Sequence, residues 1–224
     1  MMFCFRNNKG LHFIKIELSV NASKMKRLLF ALLALFVVLS VYSQNSAQAR
    51  KILDKTAAVV GNKNGASASF SVSGKYGNSS GTIAVKGNKF NARTPQAIVW
   101  YDGKTQWTYM KSCQEVNIST PTEAQQQSMN PYKFINIYKS GFKLGLKNVS
   151  GGWQVHLYAT NQKRSIKEMY ITIGKNYQPK VIKMRQSNGW TTITVSNFKS
   201  KPLSDATFRF NSKDYPNAEI VDLR

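Results

Sequence analysis

The sequence predicts a mainly β protein with a few helices: an unclosed antiparallel β-barrel, meaning a strongly curved sheet, with an N-terminal helix and a mid-chain helical lid. Three observations lead to this prediction. Many short segments alternate apolar and polar residues between turn-forming residues, an amphipathic helical pattern precedes them, and a second helical pattern interrupts them in mid-chain. Helices inserted in this way would cover one face or one mouth of the sheet.

Residues 25–43 are typical of a secretory signal peptide. Met25-Lys26-Arg27 supplies a basic start, and the apolar run from Leu28 to Leu39 is shorter than the roughly 20 residues of a transmembrane helix. Small residues then offer cleavage sites near Ser43 or Ala49. The sequence therefore predicts an exported protein, with an uncleaved membrane anchor as the less favoured alternative.

Residues 44–224 are long enough for one domain with a sizeable core, and no linker or repeat divides them. We interpret residues 1–24 as an over-extended N-terminus, with initiation at Met25; a genuine extension is the alternative. The mature part holds one cysteine, Cys113, so it cannot form an intramolecular disulfide. Cys113 is expected to be a half-buried structural residue rather than a nucleophile.

The mature chain is strongly basic. Residues 44–224 keep 26 of the 32 basic residues and nine of the 10 acidic ones, which gives a net charge of +17. Such a charge favours anionic partners, namely membrane surfaces, acidic polymers or nucleic acid. Export makes nucleic acid a poor candidate, and a solvated basic surface without a dedicated partner is the alternative.

The segment SAQARKILDKTAAVVGN predicts the N-terminal helix, because its apolar residues recur at helical spacing and Gly61-Asn62 is a stop signal. The residues that share one face are Ala49, Ile52, Leu53, Thr56, Ala57 and Val60.

Alternation then predicts strands. In ASASFSVSGKY the residues Ala66, Ala68, Phe70 and Val72 alternate with four serines, which describes one apolar and one wet face. Residues Ile83, Val85, Phe90 and Ala92 continue the same rhythm. Later strands are predicted from the segments EVNIS, WQVHLYA, EMYITIG, KVIKMRQ, TTITVSNF, ATFRFN and AEIVDL.

The segment TPTEAQQQSMNPYKFINIYKSGFK breaks the β rhythm. Thr120-Pro121 and Asn130-Pro131 are both typical helix starts, with proline in the first turn. The residues predicted to form the lid follow the second start at helical spacing: Phe134, Ile137 and Tyr138.

The segment IVWYDGKTQWTYM contains Gly-Lys-Thr, the end of a phosphate-binding loop. That loop needs a glycine five residues before Gly103, where this chain has Ile98, so a phosphate site is rejected on spacing. Asp102-Gly103 instead predicts a two-residue hairpin turn that pairs Tyr101 with Lys104. The residues sorted onto one face are Ile98, Trp100, Trp107 and Tyr109.

A single bent sheet closed by thin helical elements leaves room for an apolar ligand on its concave side. The alternative is that the same residues are plain core. The predicted lining of the cavity consists of Phe70, Val72, Ile83, Val85, Phe90, Ile98, Trp100, Trp107, Tyr109 and Ile118.

The sequence resembles the periplasmic outer-membrane lipoprotein carrier proteins, the LolA-like family. The resemblance lies in Asp102-Gly103-Lys104-Thr105 with Trp107 and Tyr109, and in the closing segment FRFNSKDYPNAEIVDL. It implies a cavity that holds lipoprotein acyl chains, taken from an inner-membrane transporter and passed to an outer-membrane acceptor. It also implies a periplasmic protein, expected to be a monomer.

One family feature is displaced. Members carry an Arg-Pro pair on an early strand, with the arginine bonded to the lid. The corresponding place here lies near Gly87-Asn88, and Arg93-Thr94-Pro95 is offset from it, so the arginine's role is not transferred.

No enzymatic function is predicted. The mature chain has one histidine, His156, predicted to face solvent, and its acids are dispersed. No catalytic set, metal site or cofactor is therefore expected. Two functions remain: a lipoprotein or lipid carrier with an aromatic-lined cavity, or an exported basic β-domain with a filled core that binds an envelope surface, an acidic polymer or another lipid.

Overall fold

The computed structural model describes residues 4–7, 10–13, 45–75, 77–123, 125–126 and 130–224. They belong to two units, within residues 1–43 and 44–224. In the first unit, strands β1 (Cys4–Asn7) and β2 (Gly10–Phe13) form an antiparallel hairpin. The predicted signal peptide lies outside the described residues.

The second unit begins with helix α1, residues 45–60. Its apolar face is the predicted one, and all six residues of that face are buried. The Thr56 hydroxyl donates to the Ile52 carbonyl at 2.9 Å, which satisfies the polar group inside the core. The helix ends where the Gly61 amide donates to the Ala57 carbonyl.

A single sheet of twelve strands follows, in the spatial order β14-β8-β7-β6-β5-β4-β3-β13-β12-β11-β10-β9. Its strands are β3 (Ala66–Gly74), β4 (Gly77–Lys86), β5 (Lys89–Arg93), β6 (Ala97–Tyr101), β7 (Gln106–Met110), β8 (Glu115–Ser119), β9 (Phe142–Val149), β10 (Gly152–Ala159), β11 (Glu168–Gly174), β12 (Pro179–Gln186), β13 (Gly189–Ser200) and β14 (Glu219–Asp222).

The sheet consists of two antiparallel meanders, β3–β8 and β9–β13, in which consecutive strands are neighbours. Pairing of β13 with β3 joins them, with Ile193 opposite Val72. Strand β14 adds parallel to β8. Strands β9 and β14 are the two edges, so the curved sheet is unclosed and the predicted fold class is confirmed.

The mid-chain helical interruption is also observed. Residues 123 and 125–126 are helical, followed by α2 (Pro131–Ile135) and a 3₁₀ helix at Ile137–Lys139. The Phe134 amide donates to the Asn130 carbonyl at 2.9 Å, so α2 begins at the predicted Asn-Pro start. Strand β9, which directly follows, was not predicted.

We call the sheet face that packs on α1 and α2 the inner face. Most of the core lies between α1, the α2 segment and the inner face of β9–β13, around fully buried Leu53, Val155, Leu157 and Ile173. A smaller cluster of Val85, Phe90 and Tyr101 lies on the inner face of β4–β6.

Two local predictions are corrected. The β6–β7 loop has four residues rather than two, since Tyr101 pairs with Gln106. The register thus differs by two residues, which leaves each side chain on its predicted face. The segment ATFRFN is not a strand: a 3₁₀ helix spans Asp205–Phe208, and the Ser204 hydroxyl accepts from the Ala206 amide.

Candidate functional site

An apolar cavity of about 290 Å³ lies on the inner face of the sheet. Strands β3–β5 form one wall and β12–β13 the other, and the end of α1 and helix α2 contribute the rest. Its volume is close to the lower end of ligand-binding pockets, roughly 300–1,000 Å³. The lining residues are Val60, Ala66, Ser67, Ala68, Phe70, Val72, Ile83, Val85, Ala92, Pro131, Phe134, Ile135, Pro179, Ile182, Met184, Ile193, Val195 and Phe198.

The cavity wall becomes more exposed towards the tip of the β3–β4 hairpin. Along β3 the inner-face residues change from buried, at Ala66 and Ala68, to half-buried at Phe70 and Val72. Val72 also lines an adjoining groove, whose other residues include Ser79 and Gln96.

Four predicted cavity residues lie in the cavity wall: Phe70, Val72, Ile83 and Val85. Phe90 is on the same face, opposite Val85, but it packs against Tyr101 at a ring distance of 5.6 Å instead of lining the cavity.

The other five predicted cavity residues lie on the outer face, which corrects the prediction for Ile98, Trp100, Trp107, Tyr109 and Ile118. Their inward neighbours on β6 are Val99 and Tyr101, which pack with the inner cluster. The hairpin does sort its aromatic residues, since Trp100 is opposite Trp107 and Ile98 is opposite Tyr109. The sequence pattern could not show which side of the sheet each set faces.

The outer side of this hairpin is covered by the C-terminal segment. Trp100 packs edge-on against Phe210 and Tyr215, each at a ring distance of 5.6 Å, and Tyr109 lies 4.7 Å from Tyr215. These four residues form what we call the outer aromatic cluster. Large aromatic surfaces are thus buried by residues more than 100 positions later in the chain.

The Asp102-Gly103-Lys104-Thr105 loop fastens the same segment. One Asp102 carboxylate oxygen accepts from the Lys104 and Thr105 amides, and the other pairs with the Arg209 guanidinium at 3.2 Å. Burial alone would raise the pKa of Asp102, but these hydrogen bonds outweigh it and hold the pKa below its ordinary value. The motif is therefore structural, and Gly103, at φ +104°, supplies the left-handed turn residue.

The predicted lid residues divide into two roles. Phe134 is half-buried and lines the cavity, together with Ile135. Ile137 and Tyr138 are instead buried in the main core. The Tyr138 hydroxyl donates to Asp54 on α1. Burial and this hydrogen bond raise the pKa of Tyr138, so its phenol stays protonated and ties the lid to α1.

The residue before α2, Asn130, is hydrogen-bonded to the β4–β5 turn. Fully buried Asn130 donates from its side-chain amide to the backbone carbonyl of Asn88 at 2.7 Å. This turn is the place to which the resemblance assigns the family arginine. Arg93, the offset candidate, lies on the outer face with its guanidinium 5.8 Å from the Trp100 ring centre.

We expect Asn130→Ala to destabilise the protein by about 1–2 kcal/mol, because the Asn88 backbone carbonyl loses its side-chain amide donor. Amide hydrogen exchange should accelerate at α2 more than at β9–β13. Asn88→Ala is the matched control, since the acceptor there is a backbone carbonyl that the substitution keeps. Equal exchange in both variants would show that this contact does not hold the lid.

Several lining residues were not among the predicted ones. Ala66, Ala68 and Ala92 belong to predicted apolar faces, and their alternation with polar residues was the available signal. Strands β12 and β13 supply Ile182, Met184, Ile193 and Val195. Strand β13 pairs with β3 across more than 100 residues, and β12 is the next strand beyond it, so no local signal places these residues in the cavity wall.

Two further predictions concern single residues. Cys113 is exposed, not half-buried, because it lies in the turn after β7. His156 is partly exposed on the outer face, as predicted, where it pairs with Glu168 at 2.9 Å. In the part of the chain that the structure describes, no helix is long and apolar enough to cross a membrane.

Comparison with known sequences gives one family match. The profile described as outer membrane lipoprotein carrier protein LolA matches residues 39–188, more than half of the chain. No curated protein matches the sequence significantly.

A solved structure has the same fold. An uncharacterized conserved protein from Thermus thermophilus superposes with a TM-score of 0.55 at 14% identity, over 78% of this chain and 99% of its own. A LolA superfamily protein from Nitrosomonas europaea gives 0.40 at 9% identity, over 72% and 97%. LprF from Mycobacterium bovis gives 0.38 at 12% identity, over 71% and 96%.

Proposed function

The chain belongs to the outer membrane lipoprotein carrier (LolA) family, and from this membership we propose that it is a periplasmic carrier that shields lipoprotein acyl chains in the apolar cavity. It would take them from an inner-membrane transporter and deliver them to an outer-membrane acceptor. Its role is binding rather than catalysis, and it acts as a monomer.

The observation that favours this function most is the position of the cavity beneath a thin helical cover. Its wall is apolar except at Ser67, and α2, five residues long, contributes Pro131, Phe134 and Ile135. Burying an acyl chain is worth about 0.8 kcal/mol per methylene, so a lipidated protein crosses water poorly without a shield. A carrier must also release its cargo, which a short helical cover permits.

Photo-crosslinking tests the proposal. A photoreactive residue at Phe70 should label the acyl chain of a diacylated lipopeptide, because Phe70 lines the cavity. The same residue at Trp107, on the outer face, should not label it. Labelling at both positions, or at Trp107 alone, would show that the acyl chain does not bind specifically in the cavity. Failure of the purified protein to bind either the lipopeptide or a fatty-acid probe would refute the carrier function.

A further inference from the structure

The outer face of β9–β13 carries an aligned row of charged and aromatic residues. Lys143, Tyr158, Glu168, Arg185 and Trp190 lie on five neighbouring strands, each directly opposite the next. Their chain neighbours Leu157, Met169 and Met184 are buried on the inner face. Because alternate residues face opposite sides, the row points away from the cavity. We call it, with adjacent His156, Tyr170 and Lys183, the outer patch.

The single acid in the patch is neutralised by its own neighbours. Glu168 accepts from the Tyr170 hydroxyl at 2.9 Å, pairs with His156 Nε2 at 2.9 Å and with Arg185 Nε at 3.1 Å. Its side chain is 15% exposed. Burial raises the pKa of Glu168, but these partners outweigh it and lower the pKa. The carboxylate therefore organises the patch, while Lys143 and Lys183 add positive charge to it.

The rings of the patch are packed in an ordered array. His156 and Tyr170 stack in parallel at 4.4 Å, and Tyr170 lies 6.1 Å from Trp190. Lys183 Nζ is 4.9 Å from the centre of the Trp190 ring. Such contacts restrict the side chains before any partner arrives, which lowers the entropy cost of binding.

Two of the rings are nevertheless open to solvent. Tyr158 is 43% exposed and Trp190 is 38% exposed, which makes them two of the five exposed large hydrophobic residues among those described. They lie three strands apart, about 14 Å along the sheet. Lysine and arginine side chains lie beside or between them.

We propose that the outer patch docks the protein on an anionic lipid bilayer. Tyrosine and tryptophan place an apolar ring and a polar edge at the level of lipid headgroups, and lysine and arginine are attracted to anionic headgroups. The net charge of +17 on residues 44–224 complements such a surface. An acidic polymer held by charge alone would gain little from the exposed rings.

Vesicle co-sedimentation tests the proposal. The mature protein should bind vesicles that contain phosphatidylglycerol, bind pure phosphatidylcholine vesicles weakly, and lose binding as salt rises. The double variant Lys143→Gln/Lys183→Gln should bind about 30-fold more weakly, which corresponds to about fivefold per charge. Tyr158→Ser/Trp190→Ser should also bind more weakly, although it keeps every charge.

The matched control is Lys63→Gln/Lys213→Gln, which removes two exposed lysines outside the patch and should stay within about threefold of wild type. The variant Ala92→Phe, which fills the cavity wall, should still bind vesicles, and this result separates docking from acyl binding. Equal losses in the patch and control variants would overturn the proposal. So would binding to a soluble polyglutamate that needs the patch lysines but not the rings, since it would assign the patch to an acidic polymer.

Discussion

Ala92→Phe is expected to lower the affinity for acyl chains by about 100-fold while the domain stays folded. Ala92 is half-buried in the cavity wall, opposite Ile83. The added ring would occupy the space of roughly three or four methylene groups, and at about 0.8 kcal/mol each the ligand would lose about 3 kcal/mol of burial. Displacement of a fluorescent fatty acid measures the affinity, and urea denaturation measures the free energy of unfolding.

The control for this prediction is Thr82→Phe. Thr82 is exposed and belongs to the outer face of β4, next to Ile83 in the chain. Thr82→Phe introduces the same ring on the neighbouring strand without filling the cavity, so the affinity for acyl chains should stay at the wild-type level. Unchanged affinity in a folded Ala92→Phe protein would show that acyl chains bind outside this cavity. If Ala92→Phe unfolds, Ala92→Leu provides a smaller filling side chain.

Ile137→Asp and Phe134→Asp should have opposite consequences, although both replace a lid residue. Ile137 is 8% exposed in the main core, so the carboxylate of an aspartate at this position would be buried without a partner. We expect a loss of roughly 4 kcal/mol, and a melting temperature lower by about 8–16 °C. Phe134 is half-buried beside the cavity. A carboxylate there can reach water when the cavity is empty, but an acyl chain in the cavity would remove that water and make binding unfavourable. Phe134→Asp should therefore lose ligand binding at a modest cost in stability.

Thermal denaturation and fatty-acid displacement on both proteins measure the difference. Phe134→Leu is the matched control, because it keeps an apolar side chain at the cavity and should retain most of the binding. If Phe134→Asp binds ligand like wild type, α2 is not part of the binding wall. If Ile137→Asp is as stable as wild type, Ile137 is not buried in the main core.

Local periodicity predicted much of the fold. The apolar face of α1 recurs at helical spacing, and each of its residues, from Ala49 to Val60, is buried. The strand alternation from Ala66 to Val72 likewise separates inner from outer residues. The aromatic residues of the β6–β7 hairpin were sorted correctly even though the loop was two residues longer, because a shift of two preserves side-chain direction.

Local periodicity did not predict which apolar face of a strand lines the cavity and which lies on the outer side of the sheet. Trp100 and Tyr109 are as apolar as cavity residues, but Phe210 and Tyr215 cover them from the far end of the chain. The wall formed by Ile182 and Ile193 depends on the pairing of β13 with β3, which no local pattern specifies. The residues of one of the two cavity walls therefore had no signal in the local sequence.

The junction between β3 and β13 has a consequence for the order of folding. Each meander closes through short loops, whereas this junction joins Ala66 to Ser200, so it accounts for much of the contact order and is expected to form late. The cavity has one wall on each side of the junction. Until β13 has paired with β3, the chain therefore has only one of the two cavity walls.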